Sequence, residues 1–535
     1  MNIHVPTVTR RRFLQGLTGG ALLAASPHAL WADNESTVTI SILHTTDLHG
    51  HILPTVDYQG NPNVGGLARC ATQIRQWQRE APNSILLDIG DVYQGTEVSL
   101  RAGGANMIRC LNALRYDAWV VGNHEFDWGM GPFTESVQHS DMPVLSGNSF
   151  IEGQPVGTLT DASHPLSRIK PYLIKEVAGI RLAIVAITTP ALTTWEPPEH
   201  LRGFEALDPI DTLRVLLPEV RAQKPDAIVL TGHMGLIRID DNANRVGAIT
   251  RTFPEIAVFL GGHTHQNHSS DIINRVLYTQ ADHFGLYAGK VDLTFDRASR
   301  RLLQSHAITV PMDAKVALDP VVLSLTQADL DAAALTMAQP VGELTEPLSV
   351  TTTFNEPGDI VRLIGSAIRF SLRQKGVEVD AIVHGLFDNK RSLAPGPKTV
   401  ADIWEVLPYE NDIVTFDVNR SDFLALARDL ANARNFSSGR DERNLMGVRI
   451  RGTWNGTIFT VSDLVGLSGP LPDKPTYRIA LNSYDSQSGG GRFPVVAKLV
   501  AQPGSNRVLQ SLDTRGALID FFVAQKKVSK ASLLI

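Results

Sequence analysis

Short apolar runs rich in β-branched residues alternate with helix-like segments between Val38 and about Met312. These runs end in polar loops that contain glycine. Continuous apolar strands separated by helices predict sheets that are covered on both faces by helices. We therefore expect a layered α/β or α+β domain, with strands at Thr39–Leu43, Ser84–Leu87, Ala118–Val121, Gly179–Ile187, Ala227–Leu230 and Ala257–Leu260.

The chain beyond this region predicts a connecting helix and a second domain. Residues 320–337 are rich in Ala and Leu with few helix breakers, which predicts one helix between two domains. We expect an N-terminal segment at 1–32, a first domain at 33–312, a linker at 313–339 and a smaller α/β domain at 340–535. The elements predicted in that second domain are helices Ile360–Gln374 and Asp422–Ala433 and strands Val379–Val383, Ile413–Val418 and Tyr477–Leu481.

Composition narrows the class of protein. The 535 residues are 43% hydrophobic and 19% charged, as expected for a folded chain of two or three domains. The formal charge of −6 gives no general attraction to a phosphate backbone, so we expect no nucleic-acid partner. Two cysteines are too few for a disulfide framework or a four-thiolate zinc site. We expect Cys70 and Cys110 to be buried thiols rather than a single disulfide.

The first 32 residues resemble an export signal. Three arginines, Arg10 to Arg12, precede Phe13 and Leu14, and a mildly apolar stretch then leads to a small residue, Ala32. This order of charged, apolar and small residues is typical of a twin-arginine signal and predicts a periplasmic or secreted protein that meets the twin-arginine export machinery. The alternative is a cytoplasmic protein with a chance arginine cluster. No later run approaches ~18 apolar residues, so we expect no stable membrane anchor.

Polar side chains follow five of the predicted strands. Carboxylate, imidazole and amide groups in such number, without thiolates, suit Mn²⁺, Zn²⁺, Fe or Co²⁺. The number of these side chains exceeds the number of ligands that one catalytic metal takes, so the sequence predicts two divalent ions that share at least one carboxylate. The residues are Asp47 and His49, then Asp91, then Asn123, His124 and Asp127, then His233, and finally His263 and His265.

This ordered set resembles the calcineurin-like metallophosphoesterases and, within them, the 5′-nucleotidases. The resemblance implies a four-layer β-sandwich flanked by helices and joined by a helix to a smaller C-terminal α/β domain. It also implies that His124 contacts the substrate phosphoryl group and that Asp127 orients it. In the nucleotidase branch the last ligand is often Gln, whereas here it is His265. The implied ligands are Asp47, His49 and His265 for one metal, Asn123, His233 and His263 for the other, and Asp91 as the bridge.

The second domain carries the predicted substrate contacts. Tyr409, in Leu407-Pro408-Tyr409, and Tyr484, ahead of a Gly489–Gly491 loop, resemble the two aromatic residues that stack on a nucleobase. The alternative is that both rings simply pack into the protein. Arg391 is the nearest candidate for an arginine that holds the phosphate. His200 lies outside every motif, and we assign it no role.

The resemblance implies a 5′-nucleotidase that releases phosphate from nucleoside monophosphates. Three alternatives remain open at this point. The first is a 2′,3′-cyclic-nucleotide phosphodiesterase or nucleotide-sugar hydrolase. The second is a thiosulfohydrolase-like enzyme acting on sulfur compounds with the same scaffold. The third is a binding protein that has lost catalysis, which the completeness of the ligand set disfavours.

Overall fold

The structure is a computed structural model that describes residues 36–350, 357–386, 392–431, 444–454 and 459–533. The predicted signal segment and Arg391 therefore lie outside the described residues. Within these ranges, no helix is both long enough and apolar enough to cross a bilayer. Cys70 and Cys110 are both buried and free, which confirms the prediction of two buried thiols.

Two β-sheets pack face to face in the N-terminal part of the chain. The seven-stranded sheet runs in the order Leu302–Pro311, Tyr287–Asp296, Thr37–Thr45 (β1), Ser84–Asp88 (β2), Ala118–Val120 (β3), Val144–Leu145 and Ile169–Lys170. The six-stranded sheet runs in the order Tyr172–Val177, Ile180–Thr188, Ala227–His233 (β4), Ile256–Gly261 (β5), Val276–Ala281 and Asn267–Ile273.

The alternation of side chains along β1 explains the layering. Ile40 and Ile42 point to the space between the sheets, where they pack with residues such as Val229 of β4. Leu43 points the other way, into a core shared with helices. Each sheet is thus covered by helices on one face and by the other sheet on the second face. The strand pattern alone led to the wrong expectation of helices on both faces, because an apolar strand is satisfied equally well by a second sheet. The β-sandwich flanked by helices that the family resemblance implied is confirmed.

Helices complete the four layers of this domain. Those on the seven-stranded sheet are Leu67–Glu80, Glu97–Arg101, Ala105–Leu114 and Met130–His139, and those on the six-stranded sheet are Pro209–Ala222 and Val246–Thr252. Two short helices, Leu192–Trp195 and Pro198–Leu201, and a small sheet of Ser149–Ile151, Gln154–Pro155 and Phe204–Ala206 lie beside them.

A helix at Pro320–Met337 leads out of this domain. Asp319 caps it by accepting hydrogen bonds from the amides of Val321 and Val322, and Arg75 pairs with the same carboxylate at 2.8 Å. The helix packs along three helices of the N-terminal domain. It is therefore part of that domain's surface and not an isolated strut.

The C-terminal domain is built on a mixed five-stranded sheet. Its order is Asn444–Met446, Ala381–His384, Tyr477–Asn482, Asp412–Val418 and Val508–Asp513. Helices Asp359–Gln374 and Thr514–Gln525 cover one face, and Arg420–Leu430 and Pro494–Val500 cover the other. The remaining elements are helices Val400–Val406 and Ser483–Ser486 and two small sheets, one of Pro340–Leu344, Gly396–Thr399 and Lys527–Val528 and one of Val448–Trp454, Phe459–Gly466 and Gly469–Pro470.

The two-domain α/β architecture confirms the predicted fold class. Element bounds shift by one to three residues. The helix predicted to begin at Ile360 begins at Asp359, and the strand predicted at Val379–Val383 lies at Ala381–His384. The helix predicted to begin at Asp422 begins two residues earlier, at Arg420, because the side chain of Asn419 accepts a hydrogen bond from the amide of Asp422 and caps the first turn.

Candidate metal centre and substrate cleft

The predicted ligands meet at one edge of the two sheets. β1, β2 and β3 lie side by side and parallel in one sheet, and β4 and β5 lie side by side and parallel in the other. The carboxyl ends of these strands therefore lie together at one edge of each sheet. Six of the seven side chains lie in the loops that follow β1, β2, β3 and β5. The seventh, His233, is the last residue of β4. Strand direction thus gathers the ligands of each sheet at one edge, and the packing of the two sheets joins the two sets.

The backbone at these loops is unusual. Five of the seven residues have positive φ angles, a left-handed conformation that costs a residue other than glycine roughly 1–3 kcal/mol. Such strain persists where the surrounding fold holds it in place, and it clusters at functional sites. The residues and angles are Asp47 at 51°, His49 at 48°, Asp91 at 54°, His263 at 72° and His265 at 52°.

Two glycines allow the loops to come this close. A Cβ on Gly122 would lie 2.3 Å from Oδ1 of Asp91, and one on Gly262 would lie 3.0 Å from Oδ2 of Asp47. Any side chain at either position would push a carboxylate out of place. These glycines are needed because the backbone itself forms the wall of the site.

Asp47, His49 and His265 form the first group of donor atoms. One donor atom from each lies within 4.8 Å of those of the other two. Nε2 of His265 is 3.0 Å from Nε2 of His49 and 3.5 Å from Oδ1 of Asp47. The three donors therefore face a common point, as the ligands of one cation would.

Asp91, His233 and His263 form the second group, again within 4.8 Å. Oδ2 of Asp91 is 2.9 Å from Nε2 of His233 and 3.8 Å from Nε2 of His49. Asn123 joins this group, since its Oδ1 lies 3.0 Å from Nδ1 of His263. The oxygen of Asp91 thus borders both groups, which is the position expected for a bridging carboxylate.

Backbone carbonyls orient two of the histidines. Nδ1 of His49 lies 2.9 Å from the carbonyl of Gln94, and Nδ1 of His233 lies 2.7 Å from the carbonyl of Ile89. A carbonyl only accepts, so each Nδ1 carries the proton and donates it. Nε2 of each ring then faces the donor groups, which is the usual arrangement around protein-bound metals.

The electrostatics of the site favour a cation. Burial opposes the ionisation of Asp47, but a hydrogen bond from His265 and the charge of His233 lower its pKa to about 2. Burial likewise lowers the pKa of a histidine, yet the Asp91 carboxylate outweighs it and raises the pKa of His233 to about 10. Burial and the charge of His233 lower the pKa of His263 to about 3. Without a metal the site thus holds ionised Asp47, an imidazolium at His233 and a neutral imidazole at His263, and a metal cation bound there would displace the proton of His233.

Unsatisfied atoms provide a direct test of whether a metal fits. Oδ2 of Asp91 and Nε2 of His233 are buried, face each other at 2.9 Å and make no well-aligned hydrogen bond. Leaving such atoms unpaired is costly, whereas a divalent ion would satisfy them at once. Oxygen and imidazole donors suit a borderline divalent cation. The residues therefore fit the two cations predicted from the sequence.

His124 and Asp127 form a pair beside these groups. Nδ1 of His124 is 3.0 Å from both carboxylate oxygens of Asp127. Burial disfavours the imidazolium, but the charges of Asp127 and Asp91 outweigh it and hold the pKa of His124 well above its usual value. The neighbouring Glu125 accepts hydrogen bonds from the amides of Asp91, Val92 and Gly122, which ties the loops after β2 and β3 together.

A cavity of about 240 Å³ opens beside this pair, between the two domains. His124 and Asp127 line one end of it. Tyr409 and Tyr484 line it from the C-terminal domain, so the structure brings the predicted aromatic residues to the predicted catalytic pair. The other lining residues are Trp195, Glu196, Pro197, His200, Glu410, Asn411, Ser483 and Arg492.

Comparison with known proteins identifies the two domains. Residues 40–267 match the family described as Calcineurin-like phosphoesterase, and residues 340–498 match the 5′-nucleotidase C-terminal domain. The chain is a calcineurin-like phosphoesterase with a 5′-nucleotidase C-terminal domain. This confirms the resemblance drawn from the sequence. As a member of this family, the protein is a metal-dependent hydrolase of phosphoester bonds.

Relatives of this phosphoesterase match it along most of its length. Protein UshA of Yersinia enterocolitica is 24% identical, over 91% of this chain and 93% of its own. The 5′-nucleotidase of Vibrio cholerae is 25% identical, over 90% of each chain. The crystal structure of a 5′-nucleotidase precursor from Thermus thermophilus shares the fold, with a TM-score of 0.66 at 24% identity over 92% of this chain and 97% of that one.

Family membership also bears on the cofactor. The calcineurin-like phosphoesterases imply a dinuclear site for divalent metals, and the two donor groups of this chain form two candidate positions. This supports the prediction of two ions.

Sequence reasoning missed three residues around this phosphoesterase site. Trp195 stacks on His263 with 5.2 Å between ring centroids. Tyr58 places its hydroxyl 3.1 Å from Nδ1 of His265. His200, to which the sequence assigned no role, lines the cavity and lies 2.8 Å from Asp412 of the C-terminal domain. All three come from loops or short helices without a motif, so no local pattern marks them.

Proposed function

We propose that this protein is a 5′-nucleotidase that uses two divalent cations to release phosphate from nucleoside monophosphates. The observation that carries the proposal is the cleft itself. His124 and Asp127 line the cleft beside the metal-binding groups, since the amide of His124 donates to Asp91, and two tyrosines of the other domain line its wall. A nucleotide has the same polarity, with its phosphate at one end and a planar base at the other.

The seven ligands divide the work of holding the ions. Asp47, His49 and His265 would hold the first cation, and Asn123, His233 and His263 the second, with Asp91 between them. Two divalent cations held there supply Lewis-acid activation of the phosphoryl group and of the attacking water. The carboxylate of Asp91 offsets the repulsion between two positive charges held so close together.

His124 has the geometry of a general acid. Its Nδ1–H donates to Asp127, which leaves Nε2–H directed away from that carboxylate. A protonated His124 stabilises negative charge on the phosphoryl group and holds a proton at Nε2 for the leaving oxygen. Asp127 fixes the ring orientation and keeps the imidazole charged. No covalent nucleophile is required for this chemistry.

Tyr409 and Tyr484 supply the base-binding end. Stacking on aromatic side chains is worth about 1–3 kcal/mol per base and tolerates any nucleobase. We therefore propose these rings as the nucleobase contacts, with Arg391 as the proposed phosphate contact from the sequence. The role of the rings predicts that substrates lacking a base lose affinity but not reactivity.

A substrate panel tests the proposal. Purified protein with Mn²⁺ or Zn²⁺ is mixed with AMP, 2′,3′-cyclic AMP, UDP-glucose and p-nitrophenyl phosphate, with and without chelator. We expect phosphate release from AMP that stops when chelator is added. Preferred turnover of cyclic AMP or UDP-glucose would replace the 5′-nucleotidase assignment with a phosphodiesterase or nucleotide-sugar hydrolase. If none of the four compounds is hydrolysed, the proposed function is refuted.

We also propose that the protein acts outside the cytoplasm after twin-arginine export. The proposal rests on Arg10 and Arg11 and on the apolar stretch that follows them within residues 1–32. Lysine substitutions at Arg10 and Arg11 should retain the protein in the cytoplasm. Cell fractionation with an activity assay measures this, and unchanged export of the double variant would contradict the assignment.

A further inference from the structure

Tyr58 holds the most exposed histidine of the first donor group. Its hydroxyl oxygen is 3.1 Å from Nδ1 of His265. Its ring stacks on His283 at 4.3 Å, and His283 in turn stacks on His265 at 4.7 Å with an interplanar angle of 9°. His265 is therefore fixed in two ways, by a hydrogen bond at its outer nitrogen and by a stack on its ring face.

His265 depends on this contact more than the other histidines do. Its side chain is 21% exposed, whereas those of His49 and His233 are 4% and 0% exposed. His49 and His233 are oriented by carbonyls of the main chain, but the Nδ1 contact of His265 is to the hydroxyl of a loop side chain. When Nδ1–H of His265 donates to the Tyr58 oxygen, the Nε2 lone pair faces Asp47 and His49, as a metal ligand requires.

The same contact reaches the other domain. Burial and the neighbouring hydroxyl of Tyr409, in the C-terminal domain, raise the pKa of Tyr58, which places the two tyrosines close together across the domain boundary. A parallel connection runs through Gln94, whose carbonyl accepts from His49 and whose side-chain amide donates to Glu410 at 2.9 Å. One residue, Tyr58, thus lies between His265 and Tyr409, and one residue, Gln94, lies between His49 and Glu410. Tyr409 and Glu410 are consecutive residues of the C-terminal domain.

We propose that Tyr58 is a positioning residue for His265 and that it links the affinity of the first donor group for a divalent cation to the C-terminal domain through Tyr409. The inference rests on the metal centre of the proposed function. It predicts that the two cation sites respond differently to removal of one hydroxyl group. The second group contains His233, which the carbonyl of Ile89 orients without Tyr58, and should not respond.

The test is Tyr58→Phe, which removes the hydroxyl and keeps the ring. Mn²⁺ is titrated into the metal-free full-length protein by calorimetry, and bound Mn²⁺ is followed by electron paramagnetic resonance. We expect one site to weaken by about 10- to 100-fold, the usual effect of losing a partner of a metal-bound histidine, while the other keeps its affinity. Tyr172→Phe is the matched control, because it removes a hydroxyl that donates to Glu219 on the exposed side of the six-stranded sheet.

Tyr409→Phe tests the link to the C-terminal domain. We expect it to weaken the same cation site by about two- to tenfold, the scale of one neutral hydrogen bond. Wild-type affinity at both sites in Tyr58→Phe would overturn the inference. A weaker site in Tyr58→Phe with no change in Tyr409→Phe would overturn the link between domains.

Two further readouts distinguish a positioning role of Tyr58 from a purely structural one. The melting temperature of metal-free Tyr58→Phe should equal that of the metal-free wild type, and only the stabilisation by added Mn²⁺ should shrink. A lower melting temperature already present without metal would assign Tyr58 a structural role and overturn the inference. Absence of Mn²⁺ binding in the wild type would instead refute the metal centre on which the proposed function stands.

Discussion

Replacement of His200 should make the stability of the protein respond differently to pH. His200 lies in the short helix Pro198–Leu201 at the domain boundary. Its Nε2 is 2.8 Å from Asp412 of the C-terminal domain, and its Nδ1 is 3.4 Å from Glu196. The adjacent Glu199 pairs with Arg507, also across the boundary. The substitution His200→Gln introduces a side chain of similar size but removes the positive charge that pairs with the carboxylates of Asp412 and Glu196.

The magnitude follows from the pKa of His200. Burial lowers it, but the hydrogen bonds to Asp412 and Glu196 and the charges of these carboxylates outweigh burial and raise the pKa to about 10. An unfolded histidine titrates near pH ~6.5, and each pKa unit is worth about 1.4 kcal/mol. Because the folded pKa is the higher one, the stabilisation is complete below about pH 6.5 and is lost as pH rises through about 10. The contribution is about 5 kcal/mol at most.

Unfolding by urea at a series of pH values between about 6 and 10.5 measures the effect, with chelator present throughout. We expect His200→Gln to be less stable than the wild type at the acidic end, with the gap closing toward the alkaline end. His139→Gln, at the exposed end of its own helix, is the control and should show no such trend. A gap that stays constant over the whole range would show that the ion pairs do not stabilise the interface.

Three other predictions concern the site. His124→Ala should lower kcat for AMP by about 100-fold or more with the ion content unchanged by elemental analysis, and full activity would remove it from the mechanism. Tyr409→Ala should raise KM for AMP and spare p-nitrophenyl phosphate, whereas equal effects would argue against stacking. Gly122→Ala should displace Asp91, lower the free energy of unfolding by about 1–3 kcal/mol and weaken Mn²⁺ binding. Gly131→Ala, whose added methyl group meets open space, should change neither quantity. Melting curves measure the stability, and calorimetry measures Mn²⁺ binding.

Much of this protein could be predicted from its sequence because its chemistry is ordered along the chain. Each of five apolar strands is followed or ended by a polar ligand, and parallel strands bring such positions together without further information. The helix at Pro320–Met337 was equally visible, because an Ala- and Leu-rich stretch with few breakers needs no distant partner to be recognised. Strand positions and local composition can be recognised from the order of residues along the chain, because neither depends on contacts with distant segments.

The tertiary structure decided what depends on contacts between distant segments. An apolar strand shows that both its faces are covered but not by what, so the strand pattern without the family resemblance does not reveal that one sheet packs on the other. Tyr58, Trp195 and His200 gain their roles because loops and the second domain meet at the cleft. The sequence by itself determined the order of the candidate ligands along the chain, whereas the side chains that orient them and close the cleft follow from three-dimensional proximity, which no local spacing encodes.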